Sequence, residues 1–223
     1  DALERLELPH DAIRPAPALR KVGAGAIVMS REVRGRLEEK LGPLASSGWV
    51  EHRPTTAAIP EEVDHDEEQG DLPFAAASVT LLTPCVADET KIRIIADIEG
   101  DLEPVLPYLN AVMEGASYSP EAQTLTYQVD YRVIVLRPQK IAMAKADELV
   151  DAWVRLEEIR RLANETWLAR DTIEPSYETR ARPHALELFK RLPMTNCGLC
   201  GELTCMAFAI RLRAGEVKLR DCT

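Results

Sequence analysis

The sequence predicts an α+β protein: a small antiparallel sheet with helices on one face, followed by a small helical domain that holds most of the cysteines. Three observations predict it. Residues 91–167 read in the order strand, helix, strand, strand, strand, helix. The last helix of that run is long and amphipathic. Four of the five cysteines crowd into the final 27 residues. The hydrophobic fraction of 46% permits a core without disulfides or metal, and the 5% of aromatics means that Leu, Ile, Val and Ala must build it.

The N-terminal part, residues 1–58, reads as a small α/β segment. Pro9, Pro15 and Pro17 punctuate its start, a strand is expected at 26–29, and a helix runs from the N-cap Ser30 to about Leu41. Residues 49–51 suggest another short strand. Residues 59–73, IPEEVDHDEEQGDLP, are dense in acid and bounded by prolines, which reads as a solvated linker. The α+β domain proper is expected over 74–182. KIRIIADI at 91–98 is a strand and 102–113 a helix. Strands at 124–129 and 132–136 form a hairpin about Asp130-Tyr131, and one more strand is expected at 141–144. The helix at 147–167 places Leu149, Trp153, Leu156, Ile159 and Leu162 on one stripe. A polar stretch, 170–183, and a short helix, 184–192, lead into the last domain, 183–223.

A net charge of -10 argues against nucleic acid, since phosphate binding needs surplus Lys and Arg. The longest apolar runs, 133–136 and 206–210, are far short of the ~18–20 residues of a membrane span, so none is expected. The opening DALERLELPH is charged and lacks the apolar run of a signal peptide, so the expected location is the cytoplasm.

The cysteine spacing carries the chemistry. Cys197, Cys200, Cys205 and Cys222 stand as C-x2-C-x4-C-x16-C in TNCGLCGELTCMAFAIRLRAGEVKLRDC. Four thiolates at one end of a chain point to a metal site in a reducing compartment, and they satisfy a [4Fe-4S] cube, one per iron. Gly198 and Gly201 permit positive φ in the loop, which lets N–H groups face cluster sulfurs. Cys205 falls in the first turn of a helix to about Arg213, where the helix dipole favours a thiolate. Ala207, Phe208, Ala209 and Ile210 are expected to shield the site, and a second short helix, 216–219, to return the chain to Cys222. A structural zinc site on the same four cysteines stays open, although zinc ribbons usually offer two C-x2-C knuckles and only one is present. A redox pair of Cys197 and Cys200 would leave Cys205 and Cys222 without a task.

The run LPMTNCGLCGELTCMAFAIRLRAGEVKLRDC resembles the four-cysteine iron–sulfur domain of the corrinoid/iron–sulfur protein large subunit of acetyl-CoA metabolism. It is similar, more loosely, to the iron–sulfur subunit of ion-pumping ferredoxin:NAD oxidoreductases. The resemblance implies one low-potential [4Fe-4S] cluster with Cys197, Cys200, Cys205 and Cys222 as ligands, but it extends only over about 183–223. Too little chain remains for a cobalamin-binding barrel, so cobalamin binding is not expected. Residues 91–223, through IRIIADIEGDLEPVLPYLNAV and IEPSYETRARPHALELFK, resemble uncharacterised (Fe-S)-binding proteins of anaerobes.

The remaining candidates read blandly. Cys85 in SVTLLTPCV is expected as a small buried hydrophobe, and His65 as part of a solvated acidic loop. His10, His52 and His184 are isolated. Gly23-Ala-Gly25 is too short for a phosphate-binding loop. Arg180, Arg182, Lys190 and Arg191 place positive charge before the cysteines, suited either to an acidic redox partner or to an ordinary helix surface. The expected function is a low-potential electron-transfer protein or subunit serving a larger anaerobic metalloenzyme system, with a protein redox partner and no catalytic residues of its own. The alternative is an accessory or assembly protein whose cluster, or zinc, is structural.

Overall fold

The computed structural model describes residues 5–43, 50, 55–61, 72–180 and 183–222. The expected strand at 49–51 and most of the acidic stretch fall outside them. The molecule is α+β: a six-stranded antiparallel sheet, helices against it, and a small helical C-terminal lobe.

The N-terminal segment pairs β1 (Asp11–Ile13) with β2 (Ala26–Val28) as a separate two-stranded ribbon. The helix α1 (Arg31–Leu41) starts where Ser30 caps it, its hydroxyl accepting the Val33 N–H at 3.2 Å. Between the two strands, Leu19 and Val22 are fully buried in the main core, so this ribbon packs on the sheet domain rather than standing apart. Gly23 lies where Pro15 and Trp153 crowd in: a Cβ there would stand 2.8 Å from Pro15. Close packing therefore accounts for the glycine.

The main sheet consists of β3 (Ala76–Cys85), β4 (Asp88–Glu99), β5 (Ser117–Ser119), β6 (Thr124–Val129), β7 (Arg132–Arg137) and β8 (Lys140–Ala146), in the order β3-β4-β8-β7-β6-β5. Sequence pattern marks SVTLLTPCV as strand-like without placing it, and the structure makes it the long edge strand β3. It misses β5, which is three residues long and carries no readable period. The register stacks Ile94, Met143, Ile134 and Tyr127 across β4, β8, β7 and β6, with Ala96, Ile141, Leu136 and Leu125 as the next row. Both rows are buried on the same face. The alternate residues, such as Ile95, Ala142 and Val135, are only half-buried. That one-sided burial is what period-two alternation dictates when helices cover a single face.

The expected helix at 102–113 begins as a 3-10 turn, Glu103–Val105, and becomes α-helical only in α2 (Leu106–Val112). Pro104 and Pro107 lack the N–H groups that an α-helix would use deeper in its ladder, and the first turn tolerates this. The β6–β7 hairpin turns at Asp130-Tyr131 with Asp130 at φ 52°, a conformation Asp accepts readily. The helix α3 (Leu149–Leu168) buries Trp153, Leu156, Ile159 and Ala163 against the sheet. Its carboxylate cap is Glu148, which accepts the N–H groups of Val150 and Asp151 at 2.6 and 2.8 Å. Asn164, on the same helix, grips the backbone of Phe74 from both sides, accepting its N–H at 3.1 Å and donating to its carbonyl at 2.9 Å.

A buried ionic knot joins α3 to β4 and β7. Arg132 forms a fork with Asp151 through Nε and Nη2, at 2.9 and 3.0 Å, and the same Nη2 also donates to Asp147 at 2.5 Å. Asp147 also accepts from Tyr131 Oη at 2.6 Å and from Lys91. Burial alone would raise the Asp147 pKa. The hydrogen bonds from Lys91 and Tyr131 outweigh that and hold it below its ordinary value of 3.8.

Beyond α3 the polar stretch runs extended along α2. Ser176 N–H donates to the Pro107 carbonyl at 3.0 Å, and the Asn110 amide donates to the Ser176 and Glu178 carbonyls. The C-terminal lobe then pairs α4 (Ala185–Phe189) with α5 (Cys205–Arg213) around its own small core of Leu192, Cys205, Phe208 and Ala209. The lobe leans on the sheet through its glycine corner. The Gln128 amide donates to the Ala214 carbonyl, and Lys145 lies 3.8 Å from Glu216.

Candidate metal centre

All four of the clustered cysteines line one pocket, together with Pro193, Thr195, Asn196, Gly198, Glu202 and Phe208. All five cysteines are free thiols. Cys205 is buried, Cys200 and Cys222 are half-buried, and Cys197 is exposed at the mouth. Among the described residues no three Cys, His, Asp or Glu side chains converge on a point that a single ion would occupy.

The loop that carries Cys197 and Cys200 is wound tightly. Met194, Asn196, Gly198 and Gly201 all adopt positive φ, at 55°, 49°, 73° and 85°. Glycine takes this conformation freely, whereas Met194 does so at a cost of about 1 kcal/mol or more. Such winding turns successive N–H groups to one side. The Leu199 N–H and the Thr195 hydroxyl both hydrogen-bond the Cys197 sulfur and pull its pKa down. Asn196 does the same structural work for Cys205: its side-chain oxygen accepts the Cys205 N–H at 2.8 Å, and its own N–H reaches Cys205 Sγ at 3.4 Å.

Cys205 opens α5, as the sequence predicts, because Thr204 caps that helix by accepting the Ala207 N–H at 3.1 Å. Phe208 lines the pocket and is essentially inaccessible, and Ala209 is buried beside it in the lobe's core. Ile210, expected to shield the site, is instead exposed, because it falls on the solvent side of α5. The second short helix expected at 216–219 also differs. The chain leaves α5 through Gly215 at φ 72°, bends through Glu216 and Val217, and forms a 3-10 turn only at Leu219–Asp221. The reason is local: Val217 is drawn into the lobe's core, and Asp221 accepts the Lys218 N–H at 2.8 Å. Cys222 follows at once, its thiol pKa pushed up by desolvation first and then by the sulfurs of Cys200, Cys205 and Cys197.

Arg211 ties the two halves of the pocket wall together, pairing with Glu202 in the loop and with Glu216 at 3.2 Å beyond α5. Asn196, Thr195 and Arg211 are not distinguishable by residue type alone. The only sequence signals are an Asn one residue before the first cysteine and an Arg one helical turn before the glycine.

The other candidates lie elsewhere. Cys85 is buried on edge strand β3, consistent with a small hydrophobe. His10 contacts the Leu8 carbonyl, and His184 caps α4, its N–H donating to Glu187. Arg180 donates to the Met113 carbonyl, while Lys190 and Arg191 are exposed beside the lobe. His52, His65 and Arg182 fall outside the described residues. No helix among those residues is long and apolar enough to cross a membrane.

Fold and site together define an α+β protein with a C-terminal four-cysteine lobe of iron–sulfur type. Residues 192–223 match the family model described as "Putative Fe-S cluster", which supports an iron–sulfur cofactor there. The same segment is similar to particular proteins. It is 53% identical over 38 residues to the acetyl-CoA decarbonylase/synthase complex subunit gamma of Methanothermobacter thermautotrophicus. It is 70% identical over 37 residues to a gamma 2 subunit of Methanosarcina thermophila, and 51% over 37 to the corrinoid/iron-sulfur protein large subunit of Moorella thermoacetica. Each match takes in 17% of this chain and 8% of the relative, so the likeness is confined to the cysteine lobe. No solved structure matches the chain.

Proposed function

We propose that the C-terminal lobe holds one [4Fe-4S] cluster on Cys197, Cys200, Cys205 and Cys222, and that the protein is a low-potential electron-transfer subunit of a larger anaerobic metalloenzyme system. The observation that carries this is the placement of four cysteine sulfurs around one pocket, inside the segment that matches an iron–sulfur family model. Four cysteines lining one pocket can supply one thiolate to each iron of a cube. A lone zinc ion needs four sulfurs at about 2.3 Å from one point.

When bound, such a cluster stores and releases one electron. The protein's share is to hold and insulate it. Cys205 and Cys200 anchor the inner side from the lobe's core, and Phe208 excludes water from it. The N–H groups of Leu199 and Asn196 face cysteine sulfurs and stabilise their negative charge, and in that way tune the potential. Four thiolates in a chain of net charge -10 disfavour the reduced state, which supports a potential at the low end of the iron–sulfur range. Relatives that are named as subunits of a complex support a role within an assembly.

The test is anaerobic purification followed by iron and sulfide counts and EPR before and after dithionite. About four irons and four sulfides, with a signal that appears on reduction, are expected. Stoichiometric zinc without sulfide would turn the lobe into a structural finger and end the electron-transfer reading.

A further inference from the structure

The rim of the cysteine pocket has an unusual surface. Leu199, between the first two cysteines, is 74% exposed, and Leu203, between the second and third, is 91% exposed. Met194 stands one residue from the pocket-lining Pro193 and Thr195, and Leu219 accepts the Cys222 N–H through its carbonyl. Both are at least half exposed. Four exposed large apolar side chains, three of them next in the chain to pocket-lining residues, would in a lobe of about forty residues cost hydration free energy unless something covers them.

The charges of the lobe are uneven. Residues 183–222 contain six Lys or Arg against four Asp or Glu, in a chain whose net charge is -10. All four acids are engaged within the lobe or with the sheet. Glu187 and Asp221 cap backbone N–H groups, Glu202 pairs with Arg211, and Glu216 pairs with Arg211 and Lys145. By contrast, Lys190, Arg191, Arg213, Lys218 and Arg220 are exposed, and among the described residues none of them makes an ion pair. The cations of the lobe face outward while its anions are occupied.

We propose that this apolar rim and its basic surround form the docking surface for a small acidic electron-carrier protein, whose own apolar patch around its redox centre would meet Leu199 and Leu203. The proposal rests on the cluster reading above and adds to it the partner's chemistry. An apolar centre with a charged margin is the anatomy of a transient protein interface. Opposite charge at the margin accelerates encounter without demanding tight binding. It also orients the acidic carrier toward the lobe, because the rest of this acidic chain repels it.

The experiment is isothermal titration of the anaerobically purified full chain with an oxidised, strongly acidic bacterial ferredoxin, at low and near-physiological ionic strength. A basic cytochrome c serves as the control. Iron content is measured on every sample, so that loss of the cluster is read separately from loss of docking. Binding is expected to weaken about tenfold as salt screens the margin. The triple variant Arg213→Glu, Lys218→Glu, Arg220→Glu is expected to abolish it with iron content unchanged. Leu203→Ser is expected to weaken binding while keeping its salt dependence, and at 91% exposure Leu203 has no part in the core that the substitution could disturb. Salt-insensitive binding, indifference to the triple reversal, or equal affinity for cytochrome c would each overturn the proposal. So would self-association of the protein alone that the same variants remove, which would assign the surface to a second copy of this chain.

Discussion

Asp151 is the residue on which the sheet domain's polar balance turns. It is 2% exposed, and both of its oxygens are committed to Arg132, itself almost buried. Removing one member of a buried pair strands the other charge, so Asp151→Ala is expected to destabilise the protein by about 3 kcal/mol, read as a fall in the urea midpoint. The remaining contact of Arg132 with Asp147 keeps the effect at the low end of the range. At the pocket, Asn196→Ala removes the side-chain oxygen that holds the Cys205 N–H while leaving every thiol in place. The expected outcome is faster loss of iron to a chelator, with the initial spectrum retained. If the loss rate matches that of the unaltered protein, Asn196 does not position Cys205. The four cysteines were legible from spacing alone. Asn196 was not, because its role depends on a side chain reaching across nine residues of folded loop.

At the scale of elements, the helix that presents Cys205 depends on its cap. Thr204→Val keeps the shape and removes the hydroxyl that accepts the Ala207 N–H, so the first turn of α5 should lose about 1 kcal/mol. Faster amide hydrogen exchange at Ala207 and Phe208, with the sheet unaffected, is the expected signature. Most strands and helices could be read from the sequence because their periods are long enough to count: β6 and α3 fall within a residue or two of expectation. What failed was short or governed by distant contacts. The bent passage from Gly215 to Lys218 is one such case, since nothing in GEVKLRD reveals that Val217 will be claimed by a core formed from α4 and α5. Gly215 itself sits against the β6–β7 hairpin, where a Cβ would approach the Gln128 amide to 2.5 Å and the Asp130 carbonyl to 2.8 Å. Gly215→Ala is therefore expected to loosen the lobe from the sheet, seen as faster proteolysis near residue 215.

At the scale of the molecule, Lys91 and Asp147 predict the pH range of stability. Asp147 titrates below its ordinary 3.8 in the folded state, so its contribution is present above that pH and is lost as pH falls through the folded value. Lys91, hydrogen-bonded to Asp147, titrates above its ordinary 10.5, so its contribution is present below that pH and is lost as pH rises through the folded value. Unfolding midpoints should form a plateau through neutrality that falls at both ends. Asp147→Asn should flatten both shoulders, and an unchanged profile would show that the pair is uncoupled from folding. The α+β class could be read at this scale, yet the seating of the N-terminal ribbon could not. Leu19 and Val22 show no period that announces burial in a core built mainly by residues eighty or more positions away. The outer strand β3 has a consequence of its own. It is ten residues long and, among the described residues, pairs with a strand on one side only, a form that invites another chain to add itself, although the Ala77 N–H is already taken by the Lys21 carbonyl at 2.9 Å. Its pairing with β4 slips between Val79 and Leu81 and again between Pro84 and Cys85, and Pro84 offers no N–H. A kinked border that lacks a donor is a poor template for fibrils, so copies of this protein are expected to stay apart at high concentration, with light scattering as the check.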